Sequence, residues 1–182
     1  MQRSGTKLVL GLACLALVAG VASWSYQYGA THQSTRFWGN EASSLIARPS
    51  EVEFYRLELA DSAEDSGETD RLSLKLGKPY VGIQTRVLTK ERGMVHCRHA
   101  LMTDRNYEWT SQPEPNEVDW RWGMRFHDGQ TVAMVVLAKD LATIGLVDQS
   151  RSPQVRTLSC QPMAETLRDY FRNVDLISAS TP

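Results

Sequence analysis

The densest group of metal-capable side chains in the sequence is His96-Cys97-Arg98-His99. Zinc takes three or four Cys, His or carboxylate ligands that converge on one point. On a helix, His96 and His99 are one turn apart and can share a face, whereas Cys97 is rotated about 100° from His96. The trio does not converge by itself, and His127 is the further imidazole that could complete it. The competing arrangement leaves both histidines in solvent and puts Cys97 in the core. His96, His99 and His127 are therefore the candidate metal ligands, or the acid–base groups of a small hydrolase, and the expectation is a chain that needs no metal and no cofactor.

Three other groups invite chemistry. Cys97 and Cys160 are the two cysteines outside the N-terminal apolar run. An oxidising compartment would permit a disulfide between them, with two separately buried thiols as the alternative. Asp61, Glu64, Asp65, Glu68 and Asp70 crowd one stretch that holds no base. Calcium wants several oxygens, but this spacing is not that of a helix–loop–helix calcium site, and a solvated hairpin loop is expected instead. Trp120 and Trp122, with Arg121 between them, could stack on a sugar or peptide. At strand spacing, aromatic rings more often form a core face.

Motifs that would name a reaction are absent from the sequence: there is no G-x-S-x-G, H-E-x-x-H, C-x-x-C or glycine-rich phosphate loop. Catalytic groups can still converge in space, so an enzyme is not excluded, but no particular reaction is indicated. Charge excludes more. The chain holds 20 basic and 21 acidic residues. Without Arg3 and Lys7 the balance falls to about −3, with no basic concentration of the kind that binds nucleic acid.

The elements that must position these residues follow from periodicity. Glu51–Ala60 reads as a strand in which Tyr55, Leu57 and Leu59 share a face. Val52 and Phe54 take the opposite phase, which implies either a bulge near Phe54 or cover on both faces. Leu72, Leu74 and Leu76 alternate cleanly, and Tyr80–Leu88 supplies a further strand. Thr89 is expected to cap a helix reaching Met102, with Met94, Cys97 and Leu101 inward. Val118, Trp120, Trp122, Met124 and Phe126 then alternate with polar residues and glycine. Asp128-Gly129 suits a two-residue hairpin that would pair His127 with Gln130 and Trp122 with Val135. Thr131–Leu137 and Leu141–Val147 complete a meander, and Val155–Ser159 is a candidate edge strand. Ser159 is expected to cap a last helix whose apolar stripe is Met163, Leu167, Tyr170, Phe171 and Val174. The fold expected is α+β: an antiparallel sheet of five or six strands, with helices at 89–102 and 161–174 on one face, preceded by an N-terminal hydrophobic helix.

That first helix decides where the rest resides. Arg3 and Lys7 precede Leu8–Ala19, which is apolar or small throughout, and Gly20-Val21-Ala22 offers a small-x-small cleavage site. Read as an anchor instead, Leu8–Tyr28 would be ~31 Å of helix, enough to cross about 30 Å of hydrocarbon, with Trp24, Tyr26 and Tyr28 at the far interface. Residues 1–24 are thus a signal peptide or signal anchor, 25–36 a polar tether, 37–177 one α+β domain outside the cytoplasm, and 178–182 a frayed tail. The basic flank keeps the N-terminus inside. The expected function is a non-catalytic exported or membrane-anchored domain that binds a protein or ligand. A small exported hydrolase or metal enzyme and a structural subunit of an envelope complex are the alternatives.

Overall fold

The computed structural model describes residues 3–60, 71–148 and 154–177, with the side chains of 3–10, 27–31 and Arg71 outside that description. The acidic stretch 61–70, where a solvated hairpin loop was expected, and the tail 178–182 therefore lie outside the described residues. Helix α1 runs from Arg3 to Ala47 and breaks at Gly39, whose φ of 77° and ψ of 165° are not helical. Only glycine reaches such angles without steric cost. The break separates off a C-terminal segment that ends at Ala47, before Pro49. The stretch 25–36, read as a tether, is helical.

Among the described residues, seven strands follow in one antiparallel sheet: β1 (Glu51–Leu59), β2 (Arg71–Leu76), β3 (Lys78–Val87), β4 (Trp120–His127), β5 (Val132–Ala138), β6 (Thr143–Asp148) and β7 (Gln154–Ser159), in the order β2-β3-β1-β4-β5-β6-β7. The sheet is larger than the five or six strands expected, because β7 joins it as a full edge strand. Its two edges, β2 and β7, come close to each other, so the sheet curls. Curling gives two cores. The inner face packs Tyr55, Leu57, Leu74, Leu76, Tyr80 and Trp120 against Met134 and Val136. The outer face carries Phe54, Met124, Phe126 and Val135 under the helices.

Both faces of β1 are therefore covered, which accounts for its two-phase pattern. The bulge belongs to its neighbour: Phe54 pairs with Arg86 and Tyr55 with Gln84, leaving Thr85 of β3 as the extra residue. A second irregularity corrects the reading of β4. Trp120 pairs with Ala138 and Trp122 with Leu137, so Arg121 is the extra residue. The bulge shifts the phase by one, and the two tryptophans fall on opposite faces. Trp120 is buried in the inner core and its Nε1 donates to the Pro115 carbonyl at 3.0 Å. Trp122 stacks on Phe54 outside, with ring centroids 5.8 Å apart. No shared stacking platform exists.

The hairpin after β4 also differs from expectation. His127 pairs with Val132, not Gln130. The Asp128 carboxylate accepts the backbone N–H groups of Gln130 and Thr131 and the Thr131 hydroxyl, which closes a longer turn. Those bonds hold the Asp128 pKa below its ordinary value.

The helices cover the outer face as expected, with different starts. Helix α2 (Met94–Leu101) begins after Gly93, which is left-handed at φ 90°. Thr89 does not cap it: the Thr89 hydroxyl accepts the Val52 N–H instead. Helix α3 (Ala164–Asn173) follows a 3-10 turn at Gln161–Met163. Ser159 stays in β7, where its hydroxyl donates to Glu108 at 2.7 Å. Leu167 and Phe171 point inward, and Phe171 meets Phe54 edge-on at 5.2 Å.

Candidate functional site

Helix α2 turns Met94, Cys97 and Leu101 into the core, one residue every turn. Geometry then forces His96 and His99 outward, and both are exposed. His127 is on a different element, at the end of β4. Its Nε2 lies 3.4 Å from a Glu51 carboxylate oxygen on the paired residue of β1. This is an ion pair when the imidazole is protonated, although Nε2 lacks hydrogen-bond geometry to it. Among the described residues, no group of three or more His, Cys, Asp or Glu side chains could hold a metal ion.

Cys97 and Cys160 are both buried free thiols in the outer core. The Cys160 thiol donates to the Leu141 carbonyl at 3.2 Å. Burial pushes each thiol up to about 12. A thiol held neutral is a poor nucleophile, so neither is suited to covalent chemistry.

The sequence reading missed a polar ladder on the inner face. Glu53 pairs directly with Arg125 across β1 and β4, two residues along from Glu51 and His127. Arg125 Nη1 donates to Glu53 Oε2 at 3.0 Å, and the Tyr55 hydroxyl donates to the same oxygen at 3.0 Å. Burial raises the Tyr55 pKa. Opposite charges facing each other across an antiparallel pair stabilise register modestly, by roughly 0.2–1 kcal/mol. At the other end of the sheet, an open cleft of about 560 Å³ is lined by Glu117, Asp119, Lys139 and Asp140, among others. A smaller one of about 320 Å³ shares Asp119 and adds Glu58, Tyr80 and Arg121.

The most unusual surface belongs to α1. Every described side chain from 11 to 26 is exposed. Leu12, Leu15, Leu17, Val18 and Val21 are between 59% and 69% exposed. With Ala13 and Ala16 between them, these residues occupy every side of the helix at about 100° per residue. Described residues 11–26 make ~24 Å of helix, less than a bilayer's hydrocarbon. Among the described residues, no helix is long and apolar enough to cross a membrane.

Beyond residue 32, α1 is latched to the domain. The Asp104 carboxylate accepts the backbone N–H groups of Gln33 and Ser34 at 2.9 and 2.8 Å. Ser34, fully buried, donates its hydroxyl to the Met102 carbonyl at 2.7 Å. Trp38 Nε1 and the Tyr107 hydroxyl both donate to the Leu101 carbonyl at the end of α2. Arg98 closes the far end by donating to the Ala47 carbonyl at 3.0 Å, where a cation also favours the helix C-terminus. The signal for this latch was legible only in part: the domain was expected to begin at residue 37, while Ser34 and Asp104 are ordinary polar residues in sequence.

No family model, no curated protein and no solved structure matches the chain.

Proposed function

We propose that this protein is an exported α+β domain held at a membrane by an uncleaved N-terminal helix, with its N-terminus inside, and that it binds a protein or ligand outside the cytoplasm without catalytic machinery of its own. One observation carries the reading: α1 exposes an apolar surface on every side over residues 11–26. A helix apolar all round is stable only where its surroundings are apolar as well. Leu8, Val9 and Leu10 extend the same run upstream in the sequence, and Tyr28 ends it among aromatic residues. Together these make ~31 Å of helix, matching the hydrocarbon thickness. Exposed Trp24 and Tyr26 stand where amphipathic rings favour the interface.

The candidate imidazoles stand on two different elements. His96 and His99 project from α2 into solvent, and His127 is engaged with Glu51 across a strand pair.

Fractionation of the native protein, followed by N-terminal sequencing, tests the proposal. The expected result is full-length chain in the membrane fraction, resistant to alkaline extraction. A soluble exported form starting near Ser23 would replace the anchor by a cleaved signal. Full-length chain soluble in the cytosol would overturn the proposal altogether.

A further inference from the structure

We infer that the turn between α2 and β4, residues Met102–Asn106, is the membrane-facing end of the domain and rests at the level of the phospholipid headgroups. This rests on the anchoring proposed above and goes beyond it, because an anchor alone leaves the domain free to take any orientation.

The argument is one of chain length and attachment. Tyr28, the aromatic end of the apolar run, and Gln33, whose N–H is held by Asp104, are separated by ~8 Å of helix. A headgroup layer is roughly 5–8 Å thick on each side of the hydrocarbon. The point of attachment is therefore at the lipid surface. It is also a specific point: Asp104 accepts two main-chain N–H groups of α1, and Ser34 reaches the Met102 carbonyl. A helix held at one end by lipid and at the other by this turn brings the turn to the bilayer.

The local chemistry suits that neighbour. The charge of Asp104 is engaged by two N–H donors, while Arg105 beside it and Arg36 on α1 are exposed. A guanidinium suits a phosphate, which it can contact with two parallel donors. The opposite end of the domain is fixed by the topology. Glu108 pairs with Ser159 and Ser159 with Thr143, which puts the latch at the end of the sheet where β5 finishes. The hairpin at residues 128–131, where β5 begins, is then ~23 Å further away, the length of β5.

The test uses the full chain in nanodiscs whose lipids include a nickel-chelating headgroup. Cys14→Ser removes the exposed native thiol, and spin labels are placed singly at Leu17→Cys, Arg105→Cys and Gln130→Cys. Nickel at the headgroups should enhance relaxation at 105 several-fold more than at 130. Oxygen accessibility should exceed that of a water-soluble nickel complex at 17. Equal and weak enhancement at 105 and 130, with 17 in lipid, overturns the orientation while leaving the anchor intact. A label at 17 that reports water overturns the anchor, and this inference with it.

Discussion

The two halves of α1 reverse the usual relation between apolarity and burial. Residues 11–26 are nearly all apolar and lie exposed, while residues 33–47 are mixed and supply Ser34, Trp38, Leu45 and Ile46 to the interior. The difference is one of specificity. The second half has a complementary surface: Trp38 meets Phe37 and Tyr107 edge-on and gives its N–H to the end of α2. The first half is apolar or small from Gly11 to Ala22 and has no polar face to keep in water. What a helix buries is decided by what matches it, and a featureless apolar cylinder is matched by lipid.

The largest effect that would sharpen this contrast is on domain stability. Trp38→Ala removes a ring that is 1% exposed, together with a buried hydrogen bond. Large aromatic truncations of this kind cost about 3–5 kcal/mol. Leu15→Asp, in the other half, should leave the domain's stability unchanged. Urea denaturation of both full-length variants in the same detergent checks the pair; equal losses would mean that the halves are not independent. The second effect reverses the roles. Leu15→Asp should oppose insertion by about 2.5–3.5 kcal/mol and move protein out of the membrane pellet, whereas Trp38→Ala should not.

A smaller effect tests the junction. Asp104→Ala removes the carboxylate that holds the N–H groups of Gln33 and Ser34, at a cost of about 1 kcal/mol, as for loss of a helix cap. Asp104→Asn should recover most of it, because asparagine also accepts such bonds. Denaturation midpoints of the two variants measure the difference, and an alanine variant as stable as the parent would show that the latch is incidental.

How much of this was legible in sequence follows the range of the interactions involved. The α+β class, the strands and the inward stripe Met94, Cys97, Leu101 came from local periodicity. The error at Trp120 has a different origin. A period-two pattern assigns both tryptophans to one face, and nothing in Trp-Arg-Trp announces the bulge at Arg121 that separates them. The same limit hid the Glu53–Arg125 pair, whose partners lie on strands far apart in the chain. Thr89 and Ser159 looked like caps because hydroxyl residues before a helix usually are; each was instead used by a neighbouring strand or loop. The exposure of His96 and His99 follows from that same stripe, whereas the place of His127 beside Glu51 depends on a strand pairing that no local pattern announces.

The smallest effect concerns the thiols, and it separates the halves by chemistry. Cys14 belongs to the exposed half of α1, while Cys97 and Cys160 are buried in the domain. Burial pushes both domain thiols up to about 12. The unfolded chain's thiols ionise near pH 8.5. The folded state therefore favours the protonated thiols, and the stability they contribute is complete below about pH 8.5 and declines as pH rises towards about 12. Pulsed alkylation of the Cys14→Ser protein at pH 8 should label neither domain cysteine in the native state and both after denaturation. Release of no new thiol on unfolding would reveal a Cys97–Cys160 bridge. Labelling without denaturant would mean that the outer core opens locally at α2 or at the start of the 3-10 turn before α3, and the docked half of α1 would then be less firmly held than its hydrogen bonds indicate.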